Sequence, residues 1–202
     1  MLLLPRLCPL SLAVALWISC LSLGCFPSIA SAESASACPD SVGSLALSIQ
    51  LESINGDPLD LTEFPQGLQA VILTNRTTAQ QSVEMSRRMD LEFGQYEGFR
   101  QVILIDGTGM AAFRDLVLRI LRRDYPVSQT GSPYLAVDFS GESVTPLKDL
   151  VRQVLPSTDL RRQAVLFLAD GRGDLIGAYD LQESSLLAQQ CLRQQVRQRQ
   201  IR

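Results

Sequence analysis

Residues Gln69 to Met89 read QAVILTNRTTAQQSVEMSRRM. A short apolar run, Ala70-Val71-Ile72-Leu73, ends in the polar turn Thr74-Asn75-Arg76-Thr77-Thr78. A segment of helical periodicity follows, with Val83, Met85 and Met89 as its apolar positions. Strand, tight polar turn, helix is the unit from which α/β domains assemble their sites. The turn holds no cysteine, no histidine and no glycine-rich phosphate loop. It therefore speaks more clearly about architecture than about activity.

Outward from this unit the pattern continues in alternation. Leu45, Leu47, Ile49 and Leu51 alternate with small or polar residues, as a strand does, and Asn55-Gly56-Asp57-Pro58 turns the chain toward Leu59-Asp60-Leu61. Phe64-Pro65-Gln66-Gly67 makes a second turn, and the helix after the polar turn runs from about Ala79 to Phe93. Gln101 to Asp106, QVILID, is a near-continuous apolar run suited to a strand covered on both faces. Ala111 to Arg123 has one apolar side, Phe113, Leu116, Val117, Ile120 and Leu121, and a polar side of Arg114, Asp115, Arg119, Arg122 and Arg123. That arginine cluster reads as a solvated face at a helix carboxyl end, where positive charge is favourable. Tyr134 to Asp138 is a further strand, and Pro146 to Leu155 a short helix or turn. Gln163 to Ala169, the turn Asp170-Gly171-Arg172-Gly173 and Asp174 to Tyr179 form a β-hairpin. Ser184 to about Arg199 closes the chain as a helix. The order predicts an α/β fold: a mixed sheet flanked by helices, with a C-terminal β-hairpin and helix.

The 202 residues, 46% of them hydrophobic, suffice for one domain with a real core. The net charge of −3 does not favour nucleic acid as a partner, which usually calls for a basic face, and none is expected. There is no histidine, the usual general base near neutral pH and the commonest metal ligand, so Ser-His-Asp and Cys-His systems are removed and no metal or other cofactor is expected. Lys148 stands alone against seventeen arginines and reads as a solvated helix charge rather than half of a Ser-Lys pair. Asp106, Asp138 and Asp170 end predicted strands, where α/β sites commonly lie, yet carboxylates there are also ordinary turn formers.

Residues 1–32 read as a signal peptide. Arg6 supplies the positive start, Leu7 to Cys25 the apolar stretch, and Ala30-Ser31-Ala32 the small-x-small pattern cut after Ala32. Retention as a membrane anchor, or lipidation at Cys25 after Leu23-Gly24, are the alternatives. Residues 33–44 form a flexible entry segment, and residues 45–199 the folded domain. The expected location is periplasmic or secreted, with membrane attachment only if the leader is retained or Cys25 is lipidated. Beyond the leader only Cys38 and Cys191 remain. They are candidates for one structural disulfide, worth about 3–5 kcal/mol on the chain-entropy model, or for two free thiols.

The entry turn NGDPLDL, the strand–helix unit at Ala70, the strand QVILID, the segment PYLAVDFSGE and the hairpin AVLFLADGRGDLIGAY together resemble the thioredoxin fold in its elaborated, peroxiredoxin-like form. More narrowly, Asn75-Arg76-Thr77-Thr78-Ala79-Gln80-Gln81 is similar to the Gly-Arg-Thr-Ser-Ala-Lys-Glu stretch of the YtfJ-like family of small periplasmic proteins. The resemblance covers roughly Leu45 to Leu192 and implies a thioredoxin-like domain. It also implies a reactive cysteine at the start of the helix, where the helix amino terminus lowers a thiol pKa. Here Asn75 to Gln81 occupy that place without a thiol, and Thr158 to Gln163 lacks the cis-proline that thioredoxins set beside it. Disulfide exchange at that place is therefore excluded.

A hydrolase using Ser or Asp without histidine has no local signature behind it, which leaves two functions. One is an exported non-catalytic domain that binds a protein partner or a small ligand; the other is a redox protein that uses Cys38 and Cys191 as an atypically placed pair. At the turn, Thr77 with Gln80 or Thr78 with Gln81 matches a capping box. The sharper alternative is an anion or ligand site formed by Arg76, Thr77, Thr78 and the helix-start amides.

Overall fold

A computed structural model describes residues 38, 49–61, 67–125 and 133–200. The expected signal peptide of residues 1–32 and all of the expected entry segment 33–44 except Cys38 lie outside the described residues. Two short strands, β1 (Gln50–Glu52) and β2 (Pro58–Asp60), pair antiparallel. The main sheet begins with β3 (Leu68–Thr74), followed by α1 (Ala79–Phe93), β4 (Phe99–Asp106), a 3-10 turn (Thr108–Phe113) and α2 (Arg114–Asp124). Then come β5 (Tyr134–Asp138), α3 (Val144–Val154), β6 (Val165–Asp170), β7 (Leu175–Asp180) and α4 (Ser185–Gln200).

The sheet has the order β5-β4-β3-β6-β7. β3, β4 and β5 run parallel, whereas β6 pairs antiparallel with both β3 and β7. The turn residues explain the hairpin between β6 and β7. Asp170 Oδ1 accepts the amides of Arg172 and Asp174, and Gly173 takes φ +84°, a conformation that only glycine adopts without strain.

The central strand shows why the apolar runs lack alternation. Leu68, Ala70 and Ile72 face one layer, where they meet Met85, Met89 and Phe93 of α1 and Leu192 and Val196 of α4. Val71 and Leu73 face the other, against Val144, Leu147, Leu150 and Val151 of α3 and Leu51 and Leu59 of the small hairpin. A strand covered on both sides carries a continuous apolar run, here Ala70 to Leu73. All seven residues of β3 are buried, and the polar pair toward its ends is hydrogen-bonded, Gln69 to the Leu61 carbonyl and Thr74 to the Thr78 hydroxyl. The same layering recurs in β4 and β6, giving a mixed sheet flanked by helices.

Helix α1 has the bounds expected from its periodicity. Helix α2 starts three residues later than the apolar pattern suggests, because residues 108–113 form a 3-10 turn first. None of its residues is fully buried. Only Leu118 and Leu121 pack partly against the core.

Candidate functional site

The turn between β3 and α1 is organised by Asn75. Its Oδ1 accepts the backbone amides of Thr77 at 2.7 Å and Thr78 at 3.2 Å, an Asx turn that satisfies amides at the helix approach. Its Nδ2 donates to the carbonyl of Leu160 at 2.6 Å. Thr77 Oγ1 lies 2.6 Å from both Asn75 Oδ1 and the carbonyl oxygen of Arg161, so its single proton is shared between two acceptors. Gln81 continues the contact, donating to the Arg162 carbonyl and accepting the Ala164 amide. The polar turn is thereby clamped to the segment that leads into β6.

The expected capping box does not form. Thr78, at the N-cap, makes no side-chain cap bond. Its buried hydroxyl lies 2.9 Å from Thr74 Oγ1 and accepts the Asn75 amide. Gln80 reaches forward to Glu84, and Gln81 is held by the segment before β6. Asn75, which precedes both candidate boxes, has taken over the amides; the Asn-x-Thr spacing is the local signal for that role.

Of the three candidate ligand residues, the structure brings only Arg76 to an open cleft. Thr77 is exposed but bonded, and Thr78 faces the interior. The cleft has a volume of about 600 Å³; Asn75, Arg76 and Ala79 form its turn side. The opposite side is apolar: Ile105 and Met110, then Phe113, Leu116, Val117 and Ile120. Phe113 is 62% exposed, Leu116 52% and Ile120 41%, so the apolar side of α2 turns toward this opening rather than into the core. Arg76 makes no hydrogen bond or ion pair with a described residue. Sequence periodicity finds the apolar side of α2, but does not show that no described residue covers it.

The three strand-end aspartates tie down turns. Asp138 accepts the amides of Ser140, Gly141, Ser143 and Val144, fixing the start of α3. Burial raises its pKa, but these hydrogen bonds outweigh burial and hold it below the ordinary carboxylate value. Asp106 accepts the amide and hydroxyl of Thr108 and pairs with Lys148 at 2.5 Å. There too burial acts upward, and the bonds from Lys148 and Thr108 bring the net shift downward. Lys148 is thus a partner in an ion pair, not the free solvated charge that its helical position suggested. The α2 arginines divide: Arg114 lies near Glu52, Arg122 donates to the Ile54 carbonyl and Arg123 pairs with Asp124. Among the described residues no group of three or more His, Cys, Asp or Glu side chains could hold a metal ion.

No protein-family model and no curated protein matches the chain. Solved structures do. A putative thiol:disulfide interchange protein DsbE from Chlorobium tepidum superposes over 76% of this chain and 96% of its own, with 16% identity and a TM-score of 0.52. BsSco, a member of the Sco family of cytochrome c oxidase assembly proteins in which a disulfide switch was identified, covers 79% of this chain and 95% of its own, with 8% identity and a TM-score of 0.53. The fold is thioredoxin-like.

In this thioredoxin-like chain Cys38 and Cys191 meet away from the polar turn. Cys38 and Cys191 form a disulfide with Cα atoms 4.8 Å apart. Cys191 lies on the buried side of α4, and both cysteines belong to the core layer that α1 and α4 share, with Cys191 fully buried and Cys38 nearly so. The distance between residues 153 positions apart was not readable from the sequence, which left bridge and free thiols both open.

Proposed function

We propose that this chain is an exported, non-catalytic thioredoxin-like domain that binds a protein partner or small ligand at the cleft between the Asn75–Thr78 turn and α2. One observation carries the reading: the turn at the start of α1, thiol-free and clamped to the segment before β6, borders a cleft whose far side carries the exposed apolar side chains Phe113, Leu116 and Ile120. A rigid polar turn beside exposed apolar side chains is a recognition surface rather than a nucleophile. Export is supported by the leader-like residues 1–32 together with a disulfide, a bond that persists in oxidising compartments. Cleavage after Ala32 leaves Glu33 as the amino terminus. Mass spectrometry of protein from an envelope or culture fraction tests this, since lipidation at Cys25 gives a heavier, acylated product.

The test of binding is a thermal-shift screen of small anions and amphiphiles on the wild type and on Leu116→Glu. Ligands that stabilise the wild type and not the variant support the cleft; an identical response of both proteins refutes it. A second reading, thiol–disulfide redox through Cys38 and Cys191, is favoured by the presence of the bond itself. Titration with a dithiol under native conditions separates the two. Reduction only on unfolding supports a structural bridge, whereas reversible cycling in the folded state supports redox function.

A further inference from the structure

We infer that the cleft's ligand is a small amphiphilic anion, a carboxylate carrying an apolar chain, with its head at Arg76 and its chain along α2. The inference rests on the binding role proposed above and names the class of ligand. Among the residues that line the cleft, Arg76 is the single charged side chain and none is acidic. Its guanidinium has no partner among the described residues, so a carboxylate would meet a donor that is not already engaged. The rest of the lining is apolar, with Phe113, Leu116 and Ile120 as its most exposed members. A volume of about 600 Å³ is that of a small-molecule site.

The backbone beside the turn argues against an extended peptide. Such a peptide docks by pairing its main chain with free amides and carbonyls of an exposed segment. Here the carbonyls of Leu160, Arg161 and Arg162 accept from Asn75, Thr77 and Gln81, so that edge is already occupied from within. An apolar chain needs no such pairing.

Calorimetric titration of the purified full-length protein with decanoate, decanol and decyltrimethylammonium, all below their aggregation concentrations, tests the assignment. Decanoate is expected to bind one-to-one and more tightly than either other probe. Arg76→Ala should weaken decanoate about tenfold, the scale of a lost charge-assisted hydrogen bond at a partly exposed site, while leaving decanol unchanged. Leu116→Glu should abolish both. Equal binding of decanoate and decanol, each lost in Leu116→Glu, overturns the anionic head while the cleft stands. No binding by any probe, or binding indifferent to Leu116→Glu, overturns the small-ligand reading itself. A concentration-dependent dimer that Leu116→Glu dissociates and decanoate does not would assign the face to a second copy of the chain, and so also refutes the inference.

Discussion

Asn75 engages four groups with one carboxamide: two backbone amides and a hydroxyl of its own turn, and a carbonyl 85 residues further along. Asn75→Ala should therefore destabilise the protein by about 2 kcal/mol, the combined scale of a lost cap and a lost long-range bond, measured by urea unfolding. Asp138 makes a prediction of pH dependence. Its folded-state pKa lies below the ordinary value, so the unfolded chain takes up the proton first. The stability it contributes is complete above about pH 4, the ordinary aspartate range, and is lost as pH falls through the lower folded value. Asp138→Asn should unfold at lower urea than the wild type at pH 7, and the gap should narrow at pH 3. At this scale the sequence was partly legible. That strand-end aspartates form turns follows from residue type and position. That Thr78 would turn inward to Thr74 does not, because which of several neighbouring side chains captures an orphan amide depends on the packing around them.

Between elements, α2 and α3 show how little periodicity says about what lies opposite a face. Both helices have an apolar side, yet Leu147 of α3 is fully buried while Leu116 of α2 is half exposed. Leu147→Ala should cost about 2–5 kcal/mol, whereas Leu116→Ser should change stability by no more than about 0.5 kcal/mol. Thermal unfolding of the two variants side by side checks both values. A near-neutral Leu116 would mean that this apolar surface contributes nothing to holding the fold, consistent with a role in binding. The extent of α1 was legible, because fifteen residues of regular pattern follow a clear polar turn. The clamp between that turn and residues 160–164 was not. The absent thiol and the absent cis-proline are two separate features in the sequence, and only the folded chain joins their places by hydrogen bonds.

For the molecule as a whole, the mixed sheet and its flanking helices followed from the order of apolar runs and turns, since runs apolar at every position demand cover on both faces. The disulfide did not, because one pair of cysteines fixes a possible connection but no distance. Cys191→Ser should lower stability by about 3–5 kcal/mol, the chain-entropy scale for so long a loop, read from denaturant midpoints with and without reductant. Because the bridge is buried, the native protein should keep it in mild reductant at neutral pH and yield it only after denaturant is added. The bond also makes nearly the whole domain a covalent ring: 152 residues lie between its two cysteines, one fewer than their separation of 153. A single proteolytic cut anywhere inside that ring leaves both pieces attached. A nicked molecule therefore migrates as one species without reductant and as two with it, so clipping in an oxidising compartment would go unseen until the sulfur link was opened.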